Sequence, residues 1–160
     1  LPMSGLFLDA GLLDRLVGQA RAVPRLRAHH NLHADLSAPA HRLLVAMEPD
    51  SYVRPHCHLD PAKAETIIVL RGRLGTLIFN DDGSLREACE MTPGGAVIGF
   101  DVPPGVFHSI VALESGTVFV EIKAGPYAAP VEAEWGGWAP AEGQPGVPAY
   151  LASMRDNLAG

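Results

Sequence analysis

Residues 51–72, SYVRPHCHLDPAKAETIIVLRG, contain two histidines separated by one residue and a glutamate seven residues further on. Side chains alternate faces along a β-strand, so His56 and His58 are expected on one side and Cys57 on the other. The turn-forming residues after His58 predict that the next strand, TIIVLR, folds back beside the first as a hairpin. Glu65, at the start of that second strand, would then approach both imidazoles.

A third imidazole, His108, follows the turn at Pro103-Pro104-Gly105 and begins another apolar strand. Together with His56, His58 and Glu65 it offers three nitrogens and one oxygen, which suit a divalent transition metal: Fe, Mn, Ni, Co or Zn. Calcium or magnesium would require an all-oxygen shell. Four protein ligands leave one or two coordination positions open, which favours a catalytic site over a closed structural site.

These motifs resemble the two signatures of the cupin superfamily. The first, H-x-H followed by E and G, is present as His56, His58, Glu65 and Gly72, and the second, P-x-G-x-x-H, is present as residues 103–108. The resemblance implies an all-β fold, the double-stranded β-helix or cupin jelly-roll barrel. It also implies that the four side chains bind the metal.

The chain is also similar to the WbuC-type family of small cupin metalloproteins, over roughly residues 24–127. The similarity rests on the stretches PRLRAHHNLHADL, HRLLVAMEPDSYVRPHCH, PAKAETIIVLRGRLGTLIFNDDG and EIKAGPY. Members are associated with bacterial surface-polysaccharide (O-antigen) gene clusters. The resemblance therefore implies a small-molecule metalloenzyme of sugar metabolism with isomerase or epimerase chemistry, and it favours a homodimer.

Length and composition limit the remaining choices. A chain of 160 residues, 48% hydrophobic, is long enough for one domain with a substantial core. A net charge of −6 argues against nucleic acid or an anionic membrane as partner, because both require clustered Lys and Arg. The N-terminus shows no basic region followed by an apolar one, so we expect a cytoplasmic protein. Cys57 and Cys89 are expected to be reduced thiols, not a disulfide.

The periodicity of apolar residues predicts one helix followed by strands. Leucines and valine at helical spacing predict a helix over residues 9–22, ended by Pro24 and packed on the barrel or on a partner subunit. After it come eight short apolar segments with turns and no intervening helix, which indicate a sandwich or barrel. The segments are HRLLVAM, SYVRPHCH, ETIIVLR, GTLIFN, LREACEM, AVIGF, HSIVA and TVFVEIK.

Three parts of the chain can be distinguished. Residues 1–40 are predicted to form the N-terminal helix and a polar connector, residues 41–125 the barrel, and residues 126–160 an irregular Pro- and Gly-rich extension that packs on the barrel. Trp135 and Trp138 are expected to hold this extension in place, because an extended segment becomes ordered only by burying apolar groups. The final residues, AYLASMRDNLAG, could form a short helix.

The catalytic residues cannot be identified from these patterns, but two candidates follow from strand alternation. Tyr52 and Arg54 share the parity of His56 and His58, so both are candidates for the pocket. Arg54 could orient a substrate carboxylate or phosphate, or it could form a salt bridge or face solvent. No second acid or base is identified beside the four expected ligands, unless Tyr52 or one of His29, His30 and His33 reaches the pocket.

Four further histidines precede the barrel motifs. His29, His30 and His33 lie in the connector, where a surface or interface position is favoured over direct metal ligation and a role at the mouth of the pocket stays open. His41 belongs to no motif and is expected to be structural.

Three functions from different classes agree with these features. The first is a non-redox metalloenzyme acting on a small anionic or sugar-derived substrate. The second is an iron-dependent dioxygenase, which would be inactive when loaded with zinc. The third is a non-catalytic module in which a metal orders the barrel or senses a sugar.

Overall fold

The computed structural model describes residues 5–158 and consists of two antiparallel β-sheets with helices on their outer faces. The helices and strands are α1 (Ala10–Arg21), β1 (Arg27–Asn31), β2 (Ala40–Met47), β3 (Glu65–Arg71), β4 (Leu74–Phe79), β5 (Leu85–Met91), β6 (Gly99–Val102), β7 (Phe107–Ala112), β8 (Thr117–Ala124) and α2 (Val147–Asp156). A single 3-10 turn, Glu132–Glu134, precedes α2.

The two sheets face each other and enclose the main core. One sheet has the strand order β1-β2-β8-β3-β6 and the other has the order β5-β4-β7. Their facing sides bury Val45, Met47, Ile67, Val69, Leu74, Met91, Ile110, Ala112 and Phe119. This is the double-sheet jelly roll that the cupin resemblance predicts, with its strands and short N-terminal helix.

Helices cover the outer faces of both sheets. Along β2 the side chains alternate, so Leu44 and Ala46 point outward and pack beneath Leu16 and Val17 of α1. On the other sheet, Leu77 packs with residues of α2. The helices of the same chain therefore bury the apolar outer faces of these strands.

The predicted N-terminal helix agrees with the structure. Asp9 caps α1, its carboxylate accepting a hydrogen bond of 2.9 Å from the backbone N–H of Leu12. Leu16, Val17 and Ala20 are buried on one side of the helix. None of the helices described between residues 5 and 158 is long and apolar enough to cross a membrane.

The prediction of a strand and hairpin at the first motif is wrong. Residues 51–58 form no strand, and His56 makes only isolated bridges, to His108 and Trp135. β3 pairs instead with β8 and β6. Pro55 offers a physical reason, since proline has no N–H to donate to a strand ladder.

The segment predicted as a polar connector contains a strand that the sequence analysis missed. β1 pairs with β2 at the edge of the five-stranded sheet. An edge strand contacts a neighbour on one side only, so its polar sequence, RAHHN, does not need an apolar alternation. The division into 1–40, 41–125 and 126–160 otherwise stays a prediction.

The C-terminal extension contacts the barrel through Trp138. Its indole packs on Phe79 and Phe107, at centroid distances of 5.0 and 5.9 Å, and donates a hydrogen bond of 3.0 Å to the carbonyl of Asp81. The extension ends in α2, the short helix that the last residues predict. Cys57 and Cys89 are both free.

Candidate metal centre

Four side chains converge at one point between the sheets. One ligand atom from each of His56, His58, Glu65 and His108 lies within 4.8 Å of the ligand atoms of the others. Glu65 is the first residue of β3 and His108 lies on β7, while the other two histidines come from the irregular segment before β3. The sequence predicted this set, although the hairpin expected to assemble it does not exist.

Backbone hydrogen bonds orient two of the imidazoles. Nδ1 of His56 lies 2.9 Å from the carbonyl oxygen of Arg54, and Nδ1 of His108 lies 2.9 Å from that of Val106. A carbonyl oxygen can only accept, so in the neutral ring Nδ1 carries the hydrogen and Nε2 is left with its lone pair. This is the arrangement by which proteins orient metal-binding histidines.

The electrostatics favour neutral imidazoles at His56 and His108 and an ionised carboxylate at Glu65. Burial, and then the nearby His108, lower the pKa of His56 to about 4, and burial lowers the pKa of His108 as well. Burial raises the pKa of Glu65, but hydrogen bonds with Glu121 and His58 outweigh it and hold that pKa well below its usual range. The Nε2 atom of His58 lies 2.8 Å from Oε2 of Glu65. Neutral imidazole and carboxylate are the forms that bind metal, so the donor set fits a divalent transition ion.

Glu121 is a second acid at this centre, which the sequence analysis did not identify. It lies on β8 opposite Ile67 of β3, and its carboxyl group is in hydrogen-bonding contact with Glu65. Burial, and then the adjacent Glu65, raise the pKa of Glu121 well above its usual range, so its carboxyl group holds a proton. The alternation of Phe119 and Glu121 along β8 was the available signal.

A cavity of about 330 Å³ opens from the four-residue centre into the barrel. His56, Glu65, His108 and Glu121 form its polar end. Its walls are largely apolar, formed by Ala28, Leu43, Val45, Met47, Val53, Ile67, Ile110 and Phe119. A second cavity of about 740 Å³ adjoins it, and His58 lines that one. An apolar pocket with a few convergent polar groups is typical of a small-molecule site.

Neither predicted catalytic candidate reaches the first cavity. Tyr52 is buried, donates a hydrogen bond of 2.7 Å to the carbonyl of Pro140, and packs with residues of α2. The guanidinium of Arg54 lies over the indole of Trp135, 5.4 Å from the ring centroid, and lines the second cavity. Parity with His56 was a poor guide for Tyr52, because residues 51–58 are not a strand, whereas Arg54 does line a cavity that His56 and His58 also line.

The connector histidines lie apart from the four-residue centre. His29 lines the first cavity, whereas neither His30 nor His33 does. His33 is buried and stacks on His41 with ring centroids 4.0 Å apart, and its Nδ1 accepts a hydrogen bond of 3.0 Å from the backbone N–H of Arg42. The structural role expected for His41 agrees with this packing.

Solved structures share this fold. A conserved protein of unknown function from Streptococcus pyogenes matches with a TM-score of 0.51 and 13% identity, over 80% of this chain and 93% of that chain. A variant of oxalate decarboxylase from Bacillus subtilis matches with a TM-score of 0.50 and 18% identity, over 68% of this chain. The chain corresponds to only 27% of that decarboxylase, which is a cupin-fold protein. At these identities the likeness shows the fold alone.

KdgF from Halomonas sp., also a cupin-fold protein, matches with a TM-score of 0.49 and 18% identity, over 66% of this chain and 84% of that chain. No curated protein matches the chain. The WbuC assignment therefore stays a prediction within the broader cupin fold. Residues 8–91 match the family described as a domain of unknown function (DUF6016). The chain is a cupin-fold protein with a candidate metal centre, and it belongs to the DUF6016 family.

Proposed function

We propose that this protein is a metal-dependent enzyme that acts on a small anionic or sugar-derived molecule by isomerase or epimerase chemistry. The observation that carries the proposal is the convergence of His56, His58, Glu65 and His108 beside an apolar cavity that three of them, His56, Glu65 and His108, line. A divalent ion held there would supply Lewis-acid polarisation of a substrate oxygen. Open coordination positions beside four protein ligands favour substrate binding over a purely structural role.

The chain's own residues supply the other requirements of such a reaction. Isomerisation and epimerisation move a proton on carbon, and this needs an acid or base that is not tied up as a ligand. Glu121 is positioned to act first as the acid, because its carboxyl group lines the cavity and holds a proton beside Glu65. Once it has given that proton to a substrate oxygen, its carboxylate can take the proton from carbon. The aliphatic side chains of the walls lower the local polarity, which strengthens electrostatic interactions beside them.

The biological setting rests on the WbuC-type resemblance. We propose a role in surface-polysaccharide or related sugar metabolism on that basis, together with a cytoplasmic location and a homodimer. The cavity volume of about 330 Å³ is in the range of small-molecule sites and agrees with a substrate of sugar size.

Exchange of carbon-bound hydrogen with solvent tests the proposed chemistry. The protein is loaded separately with Mn, Ni, Co, Zn or Fe(II) and incubated in D₂O with a panel of hydroxy acids, sugar acids and nucleotide sugars. Proton NMR detects replacement of carbon-bound hydrogen by deuterium, and an oxygen electrode records oxygen uptake in parallel. We expect exchange without oxygen uptake, and we expect Glu121→Gln to slow it by about 100-fold, the lower end for loss of an acid-base group.

Cys57→Ser is the matched control, because Cys57 is adjacent to two predicted ligands and is not one of them. It should exchange hydrogen at the wild-type rate. Oxygen uptake with iron alone, without exchange, would overturn the proposal in favour of a dioxygenase. Neither exchange nor oxygen uptake with any metal would overturn it in favour of a binding module.

A further inference from the structure

Basic side chains are concentrated around the two cavities. The whole chain has 12 Lys and Arg against 18 Asp and Glu. The linings of the two cavities, by contrast, contain equal numbers of each sign: the basic members are Arg25, Arg27, Arg54, Lys63 and Lys123, and the acidic members are Asp60, Glu65, Glu121, Glu134 and Glu142. The two cavities are therefore less acidic than the chain as a whole.

Two of these arginines lie where the cavities meet. Arg25 and Arg27 line both cavities, as does His56 of the candidate metal centre. Arg27 is anchored to the body of the protein, because its Nη1 donates to the hydroxyl of Ser51 at 3.1 Å and to the carbonyl of Tyr52 at 2.9 Å. Its second terminal nitrogen, Nη2, faces Glu142, which lines the second cavity.

A carboxylate of the protein itself occupies this arginine pair. Glu142, in the C-terminal extension, accepts two hydrogen bonds from Arg25, from Nε at 2.8 Å and from Nη2 at 3.0 Å. The Nη2 atom of Arg27 lies 3.4 Å from the same carboxylate. Two guanidinium groups thus share one carboxylate, in the bidentate geometry by which arginine recognises carboxylate and phosphate.

Another anion could replace the Glu142 carboxylate at the two arginines. The side chains of Arg25 and Glu142 are 60% and 45% exposed, whereas that of Arg27 is 18% exposed. An ion pair as open to water as Arg25–Glu142 contributes little to stability, so a competing anion can replace Glu142 at small cost. The half-buried Arg27, held by Ser51 and Tyr52, would stay in position when this happens.

We propose that Arg25 and Arg27 form an oxyanion subsite, which binds a carboxylate or phosphate group of the substrate in place of Glu142. The substrate class is then a small molecule with an oxyanion at one end, held by the arginines, and an oxygen at the other end that reaches the metal centre. The second half of this description rests on the proposed function. The lowered pKa of His29, caused by burial and then by Arg25, Lys123 and Arg27, agrees with a positive field at this mouth.

Titration calorimetry on the metal-free full chain tests the subsite apart from the metal. Inorganic phosphate and malonate are titrated separately at low ionic strength, which limits screening. Arg25→Gln should weaken binding about tenfold, because it removes a charge-assisted bidentate contact. Glu142→Gln should tighten binding about threefold to fivefold, because the internal competitor is removed. Tighter binding of phosphate would indicate a phosphorylated substrate, and tighter binding of malonate would indicate a carboxylic acid.

Arg86→Gln is the matched control, since Arg86 is exposed on β5 and lines neither cavity. It makes the same change of charge and should bind both anions as the wild type does. Equal affinities of the Arg25→Gln and Arg86→Gln variants would overturn the subsite. Weaker anion binding by Glu142→Gln than by the wild type would overturn the proposal that the anion replaces Glu142. Failure to bind metal would overturn the proposed function alone, because these titrations contain no metal.

Discussion

The backbones of His56 and His108 exchange two hydrogen bonds, His56 N to His108 O at 3.1 Å and His108 N to His56 O at 2.9 Å. Directly opposed residues of an antiparallel pair place their side chains on the same side. The two rings accordingly lie 4.6 Å apart between centroids. Main-chain contacts therefore bring the two sequence motifs together, and the imidazoles do not depend on a metal to meet.

The buried histidines should make the metal-free protein sensitive to acid. The pKa of His56 is about 4 in the folded chain and near the ordinary 6.5 when unfolded. Between these values the unfolded chain binds a proton that the folded chain does not, so stability falls as the pH drops from about 6.5 towards 4. Urea unfolding of the metal-free protein at several pH values measures this loss.

His56→Asn isolates this contribution to the pH dependence. The Asn amide can keep the hydrogen bond to the carbonyl of Arg54 and has no proton to gain in this range. The stability of the variant should therefore change less between pH 6.5 and 4 than that of the wild type. Contributions from other groups, including Glu121, are shared by both proteins. Parallel stability curves would contradict the burial of a neutral His56.

Glu121 should stabilise the metal-free centre through its hydrogen bond to Glu65. Glu121→Ala removes the donor and leaves a buried carboxylate short of a partner, which should cost about 1–3 kcal/mol. Glu121→Gln keeps an N–H donor and should cost less than Glu121→Ala. Unfolding by urea at pH 7 compares the two variants. Equal stability of the alanine variant and the wild type would show that the two carboxyl groups do not interact.

Sequence patterns predicted both the fold and the four clustered side chains, each from a different feature of the sequence. The four candidate ligands are spaced in two motifs, and the strands β2 to β8 carry apolar patterns that local geometry explains. The position of Tyr52 was predicted wrongly, because alternation was applied to residues 51–58, which Pro55 keeps out of a ladder. Parity arguments hold only where a strand exists.

Other features depend on contacts between distant parts of the chain. Glu121 reaches Glu65 only through the register of β8 against β3, and that register cannot be read from either strand alone. The bond between Arg25 and Glu142 spans 117 residues. No local pattern marks such a pair, so the subsite at the mouth of the cavities appears only in the folded chain.

Trp138 should contribute to stability by fixing the C-terminal extension on the barrel. Trp138→Ala removes the packing on Phe79 and Phe107 and the hydrogen bond to Asp81. The indole is half-buried, so we expect a loss of about 2–3 kcal/mol, below the usual cost for a buried tryptophan. Trp138→Phe keeps most of the packing and should lose about 1 kcal/mol for the hydrogen bond.

Thermal or urea unfolding measures both tryptophan variants, and limited proteolysis of the extension gives a second readout. Cleavage within residues 126–146 should be faster in Trp138→Ala than in the wild type. Unchanged stability and unchanged cleavage in the alanine variant would contradict the role of this side chain in holding the extension.

Metal content tests the central claim most directly. The wild type, His108→Ala and Cys57→Ser are purified without added metal or chelator, under low oxygen, and analysed for elemental composition. We expect stoichiometric divalent transition metal in the wild type and in Cys57→Ser, and its loss from His108→Ala. The reason is that His108 belongs to the four converging side chains and Cys57 does not. The same stoichiometry in His108→Ala as in the wild type would contradict the proposed centre.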